Sequence, residues 1–238
     1  QQLDACVGKV LDALDAEGLA DNTLVVFTSD NGGLYIREPL AAGHRPNGAL
    51  LGQKTDAWEG GHRIPFIARW PSRIPPGTRC ERLLGLTDLM ATLAAAAHVA
   101  MPAGAAPDSL NQLPVILAPE TAPAVRHELL AQGTGGYALR QGDWLYLPKQ
   151  GSGGFTVRVP PGPLWGLPYA KMGLTTSDID SDGRIKPDAP EDQLYHLGDD
   201  LAQRKNLTRE HPERAEAMRA RLEELRRRPK RASPSASP

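Results

Sequence analysis

The sequence predicts an α/β fold, and its first seventy residues carry the observations that support this prediction. Residues 24–27 and 64–68 are short apolar runs rich in β-branched and aromatic side chains, which is typical of buried strands. Residues 1–17 carry apolar side chains at helical spacing, and Gly18 follows as a helix terminator. The residues on this apolar face are Leu3, Val7, Val10, Leu11 and Leu14. A helix, a turn and a strand in this order form half of an α/β repeat.

The bulk composition limits the classes of protein to which the chain can belong. Its 238 residues suffice for one large domain or two small ones with a sizeable core. With 27 basic and 28 acidic residues, the charge is balanced, so we expect no nucleic-acid partner. No apolar run is long enough for a transmembrane segment, and no signal peptide is visible. The two cysteines, Cys6 and Cys80, imply no disulfide framework.

A carboxylate and an amide follow the first predicted strand directly. Asp30 and Asn31 each offer a side-chain oxygen, the ligand type that hard divalent cations such as calcium prefer. Ligands of open α/β sheets bind just beyond the carboxyl ends of strands. Gly32 and Gly33 then allow a sharp turn, although such a string is also typical of a plain turn. We therefore treat Asp30 and Asn31 as candidate metal ligands.

Lys54 lies in a glycine-flanked loop between the two predicted strands. Its compact positive charge suits an oxyanion such as sulfate or phosphate, whereas an isolated loop lysine is usually solvated. His44 lies in the same polar stretch, where a solvated histidine is favoured over a substrate contact.

These motifs in combination resemble the arylsulfatase family of the alkaline-phosphatase-like superfamily. The resemblance is carried by Thr-Ser-Asp-Asn-Gly-Gly at residues 28–33 and by Gly-x-Lys-x4-Glu-Gly-Gly-x-Arg-x-Pro at residues 52–65. In that family the Asp-Asn pair ends a central strand and binds calcium, and the lysine contacts the substrate sulfate. The resemblance therefore implies that Asp30 and Asn31 are calcium ligands and that Lys54 binds the sulfate. It implies a structural role for Glu59, Gly60, Gly61 and Arg63.

A second resemblance lies near the end of the chain, in residues 194–207. Arylsulfatases carry Leu-Tyr-Asp-Leu, Asp-Pro-x-Glu and Asn-Leu at this spacing. Here His196, Leu201 and Gln203 replace the usual aspartate, proline and glutamate. The segment is structural in the family, so these replacements concern edge packing rather than chemistry.

Several further elements follow from local patterns. Residues 86–99 predict a helix with Thr87 or Asp88 as its N-cap, and Asp88 is interpreted as a cap rather than a catalytic acid. Residues 136–147 predict two short strands around a Gln-Gly-Asp turn. Pro212 opens a predicted helix that ends near residue 227. Asp178, Asp180 and Asp182 alternate as in a calcium loop, but the closing glutamate is missing, and we discount that site.

The resemblance and the composition shifts together predict three segments. Residues 1–118 are expected to be the carboxyl-terminal part of a sulfatase catalytic domain and its sheet. Residues 119–225 are expected to form a small α+β subdomain with antiparallel strands and a terminal helix. Residues 226–238 read as a disordered basic tail. Because the sequence begins at Gln1, we expect its natural beginning to be missing.

The sequence lacks the segment that supplies the nucleophile in this family. Sulfatases carry Cys-x-Pro-x-Arg or Ser-x-Pro-x-Arg, whose first residue is oxidised to formylglycine, and neither Cys6, Cys80 nor any serine here matches. We therefore expect a sulfatase fragment that is inactive alone. Two alternatives stay open: a phosphate or phosphonate ester hydrolase of the same superfamily, which usually carries Asp-His at the strand end, and a non-catalytic decayed paralogue. A periplasmic or secreted location is suggested by the family alone.

Overall fold

The structure, a computed structural model, describes residues 1–154 and 174–227. Its helices are α1 (Gln2–Ala16), α2 (Arg37–Ala41), α3 (Glu59–His62), α4 (Leu89–Ala96), α5 (Leu113–Leu117) and α6 (Pro212–Arg227). Its strands are β1 (Val25–Thr28), β2 (Phe66–Arg69), β3 (Glu128–Gln132), β4 (Tyr137–Gln141), β5 (Trp144–Leu147) and β6 (Gln193–His196). Short 3-10 turns occupy Ala20–Asn22 and Leu86–Asp88. The α/β prediction is confirmed, with antiparallel strand pairs throughout.

The described residues divide into two compact units. The first contains residues 1–28 and 65–126, and the second contains residues 29–64, 127–154 and 174–227. The second unit is therefore discontinuous in sequence, because the segment between β1 and β2 clusters with the last four strands. The predicted segment boundaries at 118 and 225 stay predictions. Of the predicted basic tail, residues 226 and 227 complete α6, and the remainder lies outside the described residues.

In the first unit, β1 and β2 form a two-stranded antiparallel sheet in which Val26 pairs with Ala68. Both strands are only half-buried, and Ile67 is 60% exposed, so the prediction of fully buried strands is wrong within this unit. The reason is that each strand of a two-stranded sheet has only one hydrogen-bonded neighbour. Gly18 ends α1 as predicted, with a φ of 65° that favours glycine.

The first unit also exposes a large apolar surface. Helix α1 buries none of its residues, although its apolar spacing is that of a core helix. The exposed apolar side chains of this unit include Leu3, Val10, Leu19, Ile67, Met90, Leu93 and Val99. Extended apolar surfaces of this kind are uncommon on soluble monomers and usually mark contacts with other polypeptide.

Asp88 is the central hydrogen-bond acceptor of the first unit. It accepts bonds from Gly85 N (3.1 Å), Leu110 N (2.9 Å) and Gln112 Nε2 (3.0 Å). Arg126 donates to it through Nε (2.8 Å) and Nη2. Asp88 is a capping residue as predicted, but of the 3-10 turn that precedes α4: its carboxylate reaches back to Gly85 N, the N-cap of that turn, while α4 itself has no side-chain cap. The same carboxylate joins three separate segments.

In the second unit, four antiparallel strands form a sheet of order β3-β4-β5-β6. The predicted hairpin around Gly142 is confirmed as β4 and β5, and the predicted final helix is confirmed as α6. One face of the sheet presents Leu139, Tyr146 and Leu194 to Met218 and Leu222 of α6. The opposite face presents Ala138, Leu145 and Tyr195 to a cluster that includes Tyr35, Leu51 and Trp58. This alternation follows from the two-residue period of a strand.

The packing against Trp58 places the segment between β1 and β2 directly on the sheet of the second unit. Trp58 Nε1 donates to Gln193 Oε1 of β6 at 2.9 Å. Gln193 Nε2 in turn donates to the backbone oxygens of Lys149 and Gly151, both at 2.7 Å. The buried amide of Gln193 thus joins two loops, one containing Trp58 and the other containing Lys149 and Gly151, to β6. Among the helices of the described residues, none has the length and hydropathy of a membrane span.

Candidate functional site

The turn after β1 presents the two predicted metal ligands. Asp30 is exposed, and Asn31 is half-buried. Ser29 Oγ donates to the backbone oxygen of Asn31 at 2.9 Å, and Asn31 Nδ2 donates to Gly32 O at 2.9 Å. Because Asn31 Nδ2 is bound to Gly32 O, the side-chain oxygen Oδ1 of Asn31 is the atom available to accept a bond or to bind a cation.

Asn47 fixes the end of this turn from a buried position. Its Oδ1 accepts a bond from Gly33 N at 2.6 Å, and its Nδ2 donates to Gly33 O at 2.9 Å and to Gly52 O at 3.1 Å. One side chain thus binds both polar groups of Gly33 and the start of the lysine loop. The sequence did not mark Asn47 as a site residue: its partners Gly33 and Gly52 lie 14 and 5 residues away, so no contiguous motif identifies it.

Two backbone hydrogen bonds join the metal-ligand turn to the segment that carries Lys54. Lys54 N donates to Gly33 O at 3.1 Å, and Gly32 N donates to Gly61 O at 2.9 Å. The structure therefore brings together the loops of Asp30, Asn31 and Lys54. Lys54 is exposed, and within residues 1–154 and 174–227 neither its ammonium nor the Asp30 carboxylate has a hydrogen-bond or ion-pair partner.

Glycines make this close approach of loops possible. A Cβ added at Gly32 would lie 1.8 Å from Gly60 O, and one added at Gly60 would lie 2.3 Å from Gly52 O. A Cβ at Gly61 would lie 2.1 Å from Asp56 O. No side chain fits at any of these positions, which gives Gly60 and Gly61 the structural role predicted for them.

Glu59 anchors the same loop to β4 and to the segment between β6 and α6. Its carboxylate is buried and forms an ion pair with Arg63 at 2.8 Å, and Arg140 Nη1 of β4 lies 3.7 Å away. Glu59 N donates to Gln203 Oε1 at 2.8 Å, so the residue that replaces the usual glutamate caps the first turn of α3. The structural role predicted for Glu59 and Arg63 agrees with these contacts.

The other residues that the sequence singled out are exposed or serve local turns. His44 is exposed at the turn after α2, where its backbone N donates to Pro39 O. Asp180 Oδ1 accepts bonds from the backbone N of Asp182 and Arg184 at 2.9 and 2.8 Å, which closes a local turn. Both cysteines are exposed free thiols.

The number and type of oxygen ligands determine whether these residues can form a calcium site. Asp30 and Asn31 offer a carboxylate and an amide oxygen, which is the correct ligand chemistry for calcium. Calcium takes six to eight oxygens, however, and in the described part of the chain no group of three or more His, Cys, Asp or Glu side chains is placed to hold a metal. The residues fit part of a calcium site rather than a complete one.

Comparisons with known proteins agree with this arrangement. Residues 1–99 match the family model described as Sulfatase. An N-acetylgalactosamine-6-O-sulfatase of Bacteroides thetaiotaomicron is 30% identical over 234 residues, covering 95% of this chain and 41% of that protein. Human N-acetylgalactosamine-6-sulfatase is 39% identical over 117 residues, covering 49% of this chain and 22% of its own length. Rat steryl-sulfatase is 38% identical over 120 residues, covering 49% of this chain and 21% of its own length.

The solved structures show the same likeness in the fold. A protein solved in work on glycosaminoglycan metabolism by Bacteroides thetaiotaomicron superposes with a TM-score of 0.74 at 29% identity, covering 94% of this chain and 43% of that one. A sulfatase from Pseudoalteromonas sp. superposes with a TM-score of 0.67 at 24% identity, covering 96% of this chain and 42% of that one. The chain spans about two fifths of the length of these relatives. The resemblance predicted from the sequence is confirmed: the chain is similar to sulfatases over nearly its whole length.

Proposed function

We propose that this chain carries part of a site that hydrolyses sulfate esters, in which Asp30 and Asn31 bind calcium and Lys54 contacts the sulfate. The observation that carries this proposal is the pair of backbone hydrogen bonds, Lys54 N to Gly33 O and Gly32 N to Gly61 O. They fix two loops whose exposed ends offer the oxygen ligands of a cation and the ammonium partner of an anion.

The proposed roles follow from charge. Calcium, when bound, would polarise a sulfate oxygen and neutralise part of the ester's negative charge. Asp30 and Asn31 would hold the ion, and the ammonium of Lys54 would stabilise the charge that develops on the sulfate group as the ester bond breaks. The buried Asn47 and the glycines would position these side chains through the backbone of the two loops.

We further propose that these 238 residues have no turnover by themselves. Two oxygen ligands do not complete a calcium site, and the sequence contains no Cys-x-Pro-x-Arg or Ser-x-Pro-x-Arg nucleophile motif. The hydrolase activity, of the arylsulfatase type, would belong to a longer polypeptide in which a formylglycine is supplied by another segment. The relatives named as N-acetylgalactosamine-6-sulfatases favour a sulfated amino sugar as the substrate.

We expect the isolated chain to bind N-acetylgalactosamine 6-sulfate in calcium buffer but not to hydrolyse 4-methylumbelliferyl sulfate. Replacing Lys54 with alanine should weaken sugar-sulfate binding about tenfold, which corresponds to about 1.4 kcal/mol. Asp30→Ala should weaken the calcium dependence of that binding. Titration calorimetry measures the binding, and fluorescence measures the turnover.

Lys9→Ala is the matched control, because Lys9 is exposed on α1 and lies in the other unit. Equal affinity in Lys54→Ala and Lys9→Ala would contradict the sulfate-binding role. A measurable rate that disappears in Asp30→Ala would contradict the proposed inactivity. Tighter binding of the corresponding sugar phosphate would instead favour the phosphate ester hydrolase.

A further inference from the structure

The first unit contains few buried apolar side chains for its size. In the part of the chain that the structure describes, only four apolar side chains of this unit are buried, those of Trp70, Val115, Ile116 and Ala122. Both hydrophobic core clusters of the described residues belong to the second unit. Since folding is driven mainly by apolar burial, a domain normally has one continuous core of its own. The first unit therefore has the composition of one side of a larger core.

Helix α4 has the sequence of a buried helix but is partly exposed. Its eight residues, Leu-Met-Ala-Thr-Leu-Ala-Ala-Ala, include no charged side chain. Met90 and Leu93 lie three residues apart on one face and are 53% and 46% exposed. Ala97, at the end of the helix, continues this face and is exposed as well. A helix without a polar face is normally surrounded by other elements, so this face of α4 lacks a packing partner.

The apolar face of α1 is covered on one side only. Val7, Leu11 and Leu14 are half-buried. Leu3 and Val10 lie seven residues apart and so share the adjoining side, where they are 65% and 56% exposed. A helix that packs against a single neighbour needs only the first of these two stripes. The second stripe therefore indicates a further packing partner for α1.

Strand β1 has the sequence of a central strand but lies at the edge of its sheet. Its residues, Val-Val-Phe-Thr, include neither a charge nor a proline, the features with which edge strands resist further pairing. Across residues 1–154 and 174–227, β1 is hydrogen-bonded in a sheet to β2 alone. The backbone groups along its other edge are therefore suited to pairing with a further strand.

We propose that the exposed faces of α1 and α4 and the free edge of β1 dock the remaining segment of a sulfatase polypeptide, which carries the Cys-x-Pro-x-Arg or Ser-x-Pro-x-Arg nucleophile. This inference rests on the proposed function, in which the chain supplies only part of the site. The chain matches 41% of the Bacteroides thetaiotaomicron sulfatase and covers 43% of the first solved structure, so more than half of each has no counterpart in it. All three surfaces lie within residues 1–99, which match the sulfatase family model.

A second copy of this chain is the alternative occupant of these surfaces. It would cover apolar area, but it would bring the same two calcium ligands, Asp30 and Asn31, and no nucleophile motif. Its first unit would also have the same small number of buried apolar side chains. A segment that supplies new strands, new ligands and a nucleophile completes both the core and the site, and for this reason we favour it.

The test co-expresses the tagged 238-residue chain with the part of the Bacteroides thetaiotaomicron N-acetylgalactosamine-6-O-sulfatase that this chain does not match. We expect the two polypeptides to co-purify as a one-to-one complex. Leu93→Glu and Leu3→Glu should each lower the amount of recovered partner at least about tenfold, because each places a carboxylate in an apolar interface. Each variant alone should keep a Tm within about 2 °C of the unmodified chain, because both positions are exposed.

Leu201→Glu is the matched control, because Leu201 is 41% exposed and lies in the second unit. It should leave the recovery of the partner within about twofold of that of the unmodified chain. The inference is overturned if no complex forms, or if Leu201→Glu lowers recovery as much as Leu93→Glu does. Sedimentation of the chain alone tests the alternative occupant: a dimer that Leu93→Glu converts to a monomer would show that a second copy covers the surface.

Lys54→Ala separates this inference from the proposed function. It should leave complex formation unchanged and weaken the binding of N-acetylgalactosamine 6-sulfate. If the complex forms but its Lys54→Ala variant binds the sugar sulfate as tightly as the unmodified complex, the sulfate-binding role is wrong and the docking of the segment stands. If the chain binds the sugar sulfate through Lys54 but forms no complex, the docking is wrong and the sulfate-binding role stands.

Discussion

Replacing Gly32 with alanine is expected to lower the free energy of unfolding of the second unit by about 3 kcal/mol or more. The added Cβ would lie 1.8 Å from Gly60 O, far inside van der Waals contact. The added Cβ would meet backbone atoms that hydrogen bonds hold in place. Gly60 N donates to Leu51 O at 2.7 Å, and Gly61 O accepts the bond from Gly32 N. The strain therefore cannot be relieved by rotating a side chain. Urea denaturation followed by circular dichroism measures the change.

Gly8→Ala provides the control for this substitution. Gly8 lies in α1, and nothing lies within 4 Å of its added Cβ. Alanine should therefore be tolerated there and should favour the helix by up to about 1 kcal/mol. If Gly32→Ala were as stable as Gly8→Ala, the loops that present Asp30 and Lys54 would not be in the close contact described here. Loss of sugar-sulfate binding should accompany the loss of stability, because Gly32 follows Asn31 directly.

The elements that the sequence predicted well are those whose signals are local. Proline at the start of α6 and the Gln-Gly-Asp turn between β4 and β5 each depend on a few adjacent residues, and both were predicted correctly. Strands β3 and β6 were not predicted, because their residues become a sheet only through pairing with β4 and β5. The discontinuous second unit has the same origin, since the Trp58 to Gln193 bond spans 135 positions.

The residues of the candidate site also differ in whether a local sequence signal identifies them. Its ligand types, Asp30, Asn31 and Lys54, were identified from motifs, whereas Asn47 and Gln193 were found only in the structure. Asn47 acts through backbone groups, which leave no residue pattern in the sequence, and Gln193 joins the indole of Trp58, 135 positions away, to two backbone oxygens. Helix α1 shows the converse limit: its periodicity identifies an apolar face but carries no information on what packs against it, and in this unit no residue of that face is fully buried.

Asp88→Ala is expected to destabilise the first unit by about 3–5 kcal/mol, because it removes the carboxylate partner of the largely buried Arg126 guanidinium. The side chains of Asp88 and Arg126 are 3% and 12% exposed, so solvent replaces little of the lost interaction. Leu110 N and Gln112 Nε2 would lose their acceptor as well. Asp12→Ala, at an exposed position of α1, should change the free energy of unfolding by less than about 0.5 kcal/mol. Urea denaturation near neutral pH measures both.

The pH dependence of the free energy of unfolding distinguishes the loss of the Asp88 charge from the loss of its side-chain shape. Burial alone raises the pKa of Asp88, but hydrogen bonds from Arg126, Leu110 N, Gln112 and Gly85 N outweigh it and hold the pKa below the ordinary 3.8. A carboxyl with a lowered folded-state pKa contributes its full stability above 3.8 and loses it as the pH falls through the folded-state value. Asp88→Asn keeps the shape but cannot ionise, so the stability difference from the unmodified chain should be largest near neutral pH and shrink in acid. A difference that stayed constant down to the acid transition would show that the carboxylate charge contributes nothing to this unit, and that other contacts of Arg126, such as its bond to Asp108 O, hold it in place.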